Sequence, residues 1–261
     1  MPDNTHRFTG RAQDYDRYRQ RYPTEEILAH LRAWCGLSPD WLVADIGAGT
    51  GMLAEVFLAN RNRVLAIEPN PDMRTRMSEL FNPNAELRLK IIDATAEATT
   101  LPAASIDLAA SGRAFHWFDQ QRALAEFRRI LKPRGWVTLI AADRDRETND
   151  PAFRPQIDAW ERLLATHGTD YARVRSGYRT YEKMDRFFTG ELHQAQIHST
   201  RELDWTVFRG HAMSLSVTPQ PGHINFEVFQ HELRLYFDDH APAGILTVPT
   251  TCWITAARLD P

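Results

Sequence analysis

The chain has 261 residues, 43% of them apolar and 25% charged, with a formal net charge of −3. These values describe a folded globular protein with a sizeable core; they exclude a disordered or fibrous chain and give no global electrostatic reason to bind nucleic acid. Cys35 and Cys252 are the only cysteines, too few for a disulfide scaffold or a thiolate metal cage, so a reducing compartment and no metal are expected. No apolar run approaches the roughly 20 residues of a membrane span and MPDNTHRFTG has no apolar signal core, so a cytoplasmic protein without a membrane partner is expected.

Helical and strand-like periods then alternate along the chain. Residues 24–35 begin with Thr24 as an N-cap and two first-turn glutamates, set Ile27, Leu28, Leu31 and Trp34 on one side, and stop at Gly36; this predicts a helix. Residues 41–46 read as a first strand, 52–58 as a helix and 63–67 (RVLAI) as a second strand. Pro71 suits a first helical position, with Met73, Met77 and Leu80 as the buried stripe. Leu87, Leu89 and Ile91 alternate with Arg88 and Lys90 as a third strand, and residues 106–110 form a fourth. A helix is predicted over 119–131, burying Leu124, Phe127, Ile130 and Leu131, and Pro133-Arg134-Gly135 turns the chain into a fifth strand at 136–142.

Beyond Asp143 the alternation breaks down. Residues 144–151 (RDRETNDP) read as a linker, followed by a helix burying Phe153, Ile157, Trp160 and Leu164. A strand around 194–205 precedes a helical stretch with Phe226, Phe229, Leu233 and Tyr236 at helical spacing, and LTVPTTCWITAARL closes the chain as a β-rich segment. The expected organisation is a single α/β domain: a lid and first helix over 1–40, a cofactor-binding core over 41–143, a helical cap over 144–193 and 206–243, and late strands at 194–205 and 245–259.

The segment VADIGAGTG, residues 43–51, places three glycines between a strand and a helix. Glycine is needed there where a ligand approaches the backbone, because a Cβ would fill the space. In the nicotinamide or flavin fingerprint, G-x-G-x-x-G, Gly47 and Gly49 fit, but the third position is Met52 and Gly51 comes one residue early. The ligand expected is an adenosine without a diphosphate. Glu68 ends the second strand about 20 residues later, where a carboxylate accepts both bonds of a ribose diol; a solvated strand-end acid is the plainer alternative. Asp93, followed by Ala94, is placed to accept from an adenine amino group, with Met73 packing on a purine face or serving only the core. Asp45, in an otherwise apolar strand, needs partners: the loop amides or a cationic ligand.

VADIGAGTG, AIEPNPDM and IDATAEATTLPAASIDLAASGRAFHWF together resemble the class I S-adenosylmethionine-dependent methyltransferases over residues 41–142. The AFHWF segment at 114–118 and Phe8, Ala12, Tyr15 and Arg19 are similar to the group that includes the trans-aconitate methyltransferases, with a departure at Gln20. The resemblance implies a doubly wound, Rossmann-like, seven-stranded and mostly parallel sheet with its last strand antiparallel. It implies donor contacts from the loop residues Asp45, Gly47, Ala48, Gly49 and Gly51, from Glu68, Pro69 and Met73, and from Asp93 and Ala94.

The donor's methyl sits on a sulfonium and is attacked in line, so the protein chiefly aligns and desolvates the reactants, which is worth about 7 to 11 kcal/mol. A carboxylate acceptor needs no base; a hydroxyl or amine is helped by one, and His116 is the candidate. Its alternative role is in an aromatic cluster with Phe115 and Trp117. The N-terminal RAQDYDRYRQRY interleaves Tyr15, Tyr18 and Tyr22 with Arg11, Arg17, Arg19 and Arg21. Arginine forks suit an acidic acceptor, and Tyr15, Arg19, Tyr22 and Trp117 are the expected acceptor contacts; the alternative is a solvated helix paired with Asp14 and Asp16. The expected activity is methyl transfer to a small-molecule acceptor, an acid among the options, by a monomer or homodimer. A nicotinamide-dependent oxidoreductase and a non-catalytic adenosine-binding module are the competing readings.

Overall fold

The computed structural model describes residues 7–81, 87–182, 184–188 and 190–259; residues 1–6 of the predicted lid lie outside them. Seven strands, β1 (Leu42–Ile46), β2 (Arg63–Ile67), β3 (Leu89–Ile92), β4 (Ile106–Gly112), β5 (Leu131–Arg144), β6 (Leu192–Leu203) and β7 (Leu246–Ala257), form one sheet in the order β3-β2-β1-β4-β5-β7-β6. β7 runs antiparallel to both of its neighbours and the other pairings are parallel.

The central strands are apolar on both faces because helices cover both. α2 (Thr24–Cys35), α3 (Met52–Ala59) and α4 (Pro71–Phe81) pack Ile27, Leu31, Leu53, Phe57 and Met77 against Val43, Val64 and Leu108 on one side. On the other side α5 (Gln120–Ile130) packs Ala123, Phe127 and Ile130 against Ala44, Ile46 and Ala109. A third cluster belongs to the cap. There α6 (Arg154–His167), α7 (Tyr171–Tyr178), α8 (Trp205–Met213) and α9 (Phe226–His240) surround Trp160, Phe208, Phe229 and Leu233. The first helix, α1 (Ala12–Tyr18), lies across α8 and α4 and so bridges cap and core.

Several elements depart from the sequence reading for identifiable reasons. β5 starts at Leu131, and the Pro133–Gly135 turn sits inside it as an irregularity: Ile106 pairs with Leu131 but Leu108 with Trp136, and Arg134 takes a φ of 68°. The strand also runs on to Arg144, which is buried with Asp145, so the polar linker begins later than residue 144. Burial is possible because the Arg144 guanidinium lies 4.7 Å above the Trp160 ring. β6 ends at Leu203, since Asp204 accepts from the Val207 amide at 2.8 Å and starts α8 at Trp205. Leu87 stands outside β3 and is exposed, Leu80 is exposed at the end of α4, and Phe153 is half-buried in a short 3-10 turn.

Candidate active site

At the carboxyl ends of β1, β2 and β4, where such sheets bind ligands, lies a cavity of about 390 Å³. Gly47, Gly49, Glu68, Pro69 and Met73 line its sheet side, together with Asn70, Thr95 and Ala96. Phe8, Tyr15, Trp117 and Phe118 line the rest, so the N-terminal segment forms part of the wall. The Phe8 ring stands edge-on to Tyr15 (5.4 Å) and to Trp117 (6.3 Å).

The three loop glycines have different jobs. All have positive φ, 70° at Gly47, 59° at Gly49 and 89° at Gly51. A Cβ on Gly47 would stand 2.6 Å from that of Ala114, and one on Gly51 would stand 2.6 Å from the Phe81 ring. Those two are glycine for packing as well as for backbone conformation. A Cβ on Gly49 would meet nothing within 4 Å and would enter the cavity. Gly49 is therefore the open cradle.

Glu68 holds this cradle in shape. Its Oε2 accepts from the Gly49 amide and its Oε1 from the Asn70 amide, both at 2.8 Å. Burial raises its pKa, while those amides and Arg74 oppose the shift. The loop is tied to β2 as well, with the Gly47 and Ala48 amides donating to Ile67 O at 2.9 and 3.0 Å. Asn70 Oδ1 accepts from the Met73 amide at 3.1 Å and caps α4, which seats the buried Met73 on the cavity wall.

Other predicted donor residues stand apart from the cavity. Asp93 receives a two-pronged contact from Arg74 at 2.9 and 2.7 Å and does not line the cavity, nor does the buried Ala94; the next two residues, Thr95 and Ala96, do. Asp45 is fully buried under the loop with no close hydrogen bond to either oxygen, and burial, against the nearby Ala54 amide, raises its pKa to about 7. Gly51 starts α3.

The chain is similar to known proteins. A profile described as "Methyltransferase domain" matches residues 44–139. An uncharacterised methyltransferase of Schizosaccharomyces pombe is 29% identical over 195 residues, 72% of this chain and 70% of that one. An uncharacterised methyltransferase of Mycobacterium tuberculosis is 32% identical over 138 residues, half of each chain. A candidate type II methyltransferase of Anaeromyxobacter dehalogenans has the same fold, with a TM-score of 0.60 at 24% identity, covering 94% of this chain and 99% of that one. Residues 44–139 of the chain thus match a methyltransferase domain, on the fold of that enzyme. S-adenosylmethionine, the donor expected from the sequence, fits the site: Gly49 is open on the cavity beside the Glu68 carboxylate.

Of the residues expected to contact the acceptor, Tyr15 and Trp117 line this cavity and Arg19 lines a smaller, inner one. Tyr22 is buried beneath Arg113, whose guanidinium lies 4.6 Å from its ring, and lines neither. Arg21 points away to Asp16 (2.7 Å) and Glu55 (3.5 Å), and half of its side chain is exposed. His116 lies between Trp117 and Tyr178, each ring centre 4.5 Å away, with Nε2 unpartnered. Burial, then the charges of Arg19 and Arg7, outweigh Asp143 and push its pKa down to about 3. A neutral imidazole of that kind accepts protons poorly.

Four features of the site lie outside the sequence reading: Asn70 as the α4 cap, Thr95 and Ala96 on the wall, Arg113, and the inner cavity. The signal for Asn70 was readable, since an Asn directly before a helix-opening Pro is a capping position. Among the described residues no helix is long and apolar enough to cross a membrane, and no cluster of three or more His, Cys, Asp or Glu could hold a metal ion.

Proposed function

We propose that this methyltransferase acts on a small organic acid and methylates a carboxylate oxygen. S-adenosylmethionine, when bound, supplies an electrophilic methyl. The observation that carries the reading is the state of His116: the candidate base of the sequence packs into an aromatic cluster with its Nε2 buried and unpartnered, and burial holds its pKa down at about 3. The acids on the cavity wall are also committed. Glu68 holds two amides, Glu97 accepts from the Asp119 amide at 2.8 Å, and Asp119 accepts from Arg122. An acceptor that arrives ionised needs no proton removed, and the buried arginines near Tyr15 favour such an acceptor.

In this reading Gly47, Ala48, Gly49, Glu68, Pro69 and Met73 hold the donor, with Asn70, Thr95 and Ala96 beside them. Asp45, Gly51, Asp93 and Ala94 act from behind, through loop, helix and strand-end shape. Tyr15 and Trp117 meet the acceptor, and Tyr22 supports them through Arg113. The deciding experiment is incubation with methyl-labelled donor and a panel of small acids, phenols and amines. The expected product is an alkali-labile ester of an acid. Label found only on phenols or amines would overturn the carboxylate assignment.

Substitutions at two positions test the donor residues. Gly49→Leu is expected to lower affinity for S-adenosylhomocysteine at least about tenfold. The positive φ adds a backbone cost of about 1–2 kcal/mol, so the circular dichroism of the sheet should persist; unchanged affinity would remove Gly49 from the donor site. Glu68→Ala is expected to weaken the same ligand by about 1.5–3 kcal/mol, since a charged acceptor is lost and two amides are released. Glu68→Gln, which retains one acceptor oxygen, should fall between the two in a calorimetric titration. Wild-type affinity in Glu68→Ala would leave the carboxylate outside donor binding.

A further inference from the structure

The inner cavity, of about 50 Å³, is bordered by Arg19, Asp143, Arg144, Tyr178 and His211. One water needs about 10–15 Å³ on such a measure, so the space accommodates a group of a few heavy atoms. A narrower cleft adjoins it, where Arg113 and Arg201 join Arg144 and His211. Arg113 also lines the donor cavity, and Tyr15 stands at the divide: the guanidiniums of Arg19 and Arg113 lie 5.0 and 5.9 Å from its ring centre.

Arg146 and Arg175, also on the inner wall, pair with Asp143 and Glu161; what sets this interior apart is that Arg19, Arg113, Arg144 and Arg201 have only neutral partners. Arg113 donates to Gln20 O at 3.0 Å and lies over Tyr22. Arg144 donates to the Tyr236 hydroxyl at 2.8 Å and to Gln156 at 3.3 Å. The hydrogen bond from Arg201 goes to Tyr18 O at 3.4 Å. Arg19, only 8% exposed, has the Tyr15 ring beneath it and no partner at Nε. His211 Nδ1 is likewise buried and unpartnered. Among the described residues the one carboxylate on either wall, Asp143, is held by Arg146 at 2.7 Å.

Buried cations without counter-ions are costly, and at His211 and Arg201 the crowding is visible in the protonation. Burial, then Arg19 and Arg201, hold His211 well below its ordinary pKa, and burial, then Arg113 and Arg19, lower Arg201. A ligand anion would supply the missing charge.

We propose that this inner compartment binds an oxyanion of the acceptor that is separate from the atom methylated, with Arg19 and His211 as its specificity-determining readers. The inference rests on the proposed methyl transfer to a small acceptor and deepens it. The methylated group faces the donor cavity, and the anchoring oxyanion lies across the Tyr15–Arg113 divide. Arg19 belongs to the segment just after α1, so the anchor also ties the N-terminal segment to the filled site.

The test uses the full chain in thermal melts at constant ionic strength, with acetate, succinate or inorganic phosphate as the probe and chloride as the reference. Mass action predicts a rise in the melting midpoint of about 3–5 °C at tenfold excess over the dissociation constant. A rise with acetate or succinate alone identifies a carboxylate anchor, and a rise with phosphate alone a phosphate anchor. Arg19→Gln should abolish the rise and, having removed a buried uncompensated charge, should melt no lower than wild type without added anion. His211→Gln should reduce the rise, and the shift caused by S-adenosylhomocysteine should persist in both variants. No anion response in the wild type, or an equal response in Arg19→Gln, would overturn the proposal. Absence of the S-adenosylhomocysteine response in the wild type would instead count against the donor reading.

Discussion

Asp45→Asn is expected to stabilise the protein by about 2–4 kcal/mol at pH 8 and to leave stability at pH 4 unchanged. The carboxyl is fully buried in β1 with no close hydrogen bond, and burial, opposed by the nearby Ala54 amide and reinforced by Glu68, raises its pKa to about 7 from an ordinary 3.8. Between those values the folded state keeps a proton that the unfolded chain has released, so stability falls as pH rises. A carboxyl displaced from 3.8 to about 7 costs at most about 4 kcal/mol, at roughly 1.36 kcal/mol for each tenfold change in proton affinity. His116 works in the opposite direction. Its pKa of about 3 lies below the ordinary 6.5, so the unfolded chain binds the extra proton and stability rises with pH from about 3 to 6.5. His211 is shifted the same way as His116. Asp143, which burial would raise but Arg146 holds down at about 2, adds stability that is lost as pH falls below about 4. The contribution of Glu68, also raised by burial, falls with that of Asp45, so these two oppose the two histidines between about pH 4.5 and 6.5; the wild-type profile there is expected to be shallow, and Asp45→Asn should make it rise more steeply. Urea unfolding across that range reads this directly. A variant whose difference from wild type is the same at every pH would show that Asp45 does not titrate there.

The parts of this molecule that were legible in the sequence are those set by local rules. Periodic apolar residues located β1, β2, β4 and α2 to α5 closely, because each helix buries an apolar stripe and the central strands are largely apolar; Thr24, expected as a cap, is instead the first residue of α2, after Pro23. The glycine loop and Glu68 were legible because a strand, a tight turn and a carboxylate at fixed spacing leave few geometries. Non-local pairing was hidden. Whether Arg19 or Arg21 turns inward depends on Asp16 and Glu55, which capture Arg21 and leave Arg19 with the Tyr15 ring. The partner of Asp93, Arg74, sits on α4 and cannot be read from the strand that ends there. The isolation of His116 follows from Tyr178 and Tyr181, more than 60 residues away in a cap whose short helices carry weak periodicity.

Removal of residues 1–20 is expected to lower turnover by about two orders of magnitude or more while the central sheet remains folded, since a misplacement of about 1 Å alone costs on the order of 10²-fold. The segment contributes Phe8 and Tyr15 to the donor cavity and Arg19 to the inner compartment, and no strand of the sheet lies among its described residues. It is fastened at several points: Arg11 donates to Leu215 O and Thr218 O, the Gly10 amide donates to Asp72 at 2.9 Å, and Arg7 pairs with Asp170. Its closest fit is at α8, where the Tyr18 ring packs on Gly210, a position without room for a Cβ. Gly210→Val is accordingly the finer instrument, because it retains every residue of the segment and disturbs only its seat. Entry of water and loss of alignment should lower turnover in both variants, with the melting midpoint less affected than the rate and affinity for S-adenosylhomocysteine falling in the truncated form, which lacks Phe8 and Tyr15. Arg19→Lys should raise the Michaelis constant for acidic acceptors and leave donor affinity alone, since lysine keeps the charge and loses the planar fork. Full activity in the truncated protein, or an Arg19→Lys variant that weakens donor and acceptor equally, would show that the segment is a tether and not a wall of the site.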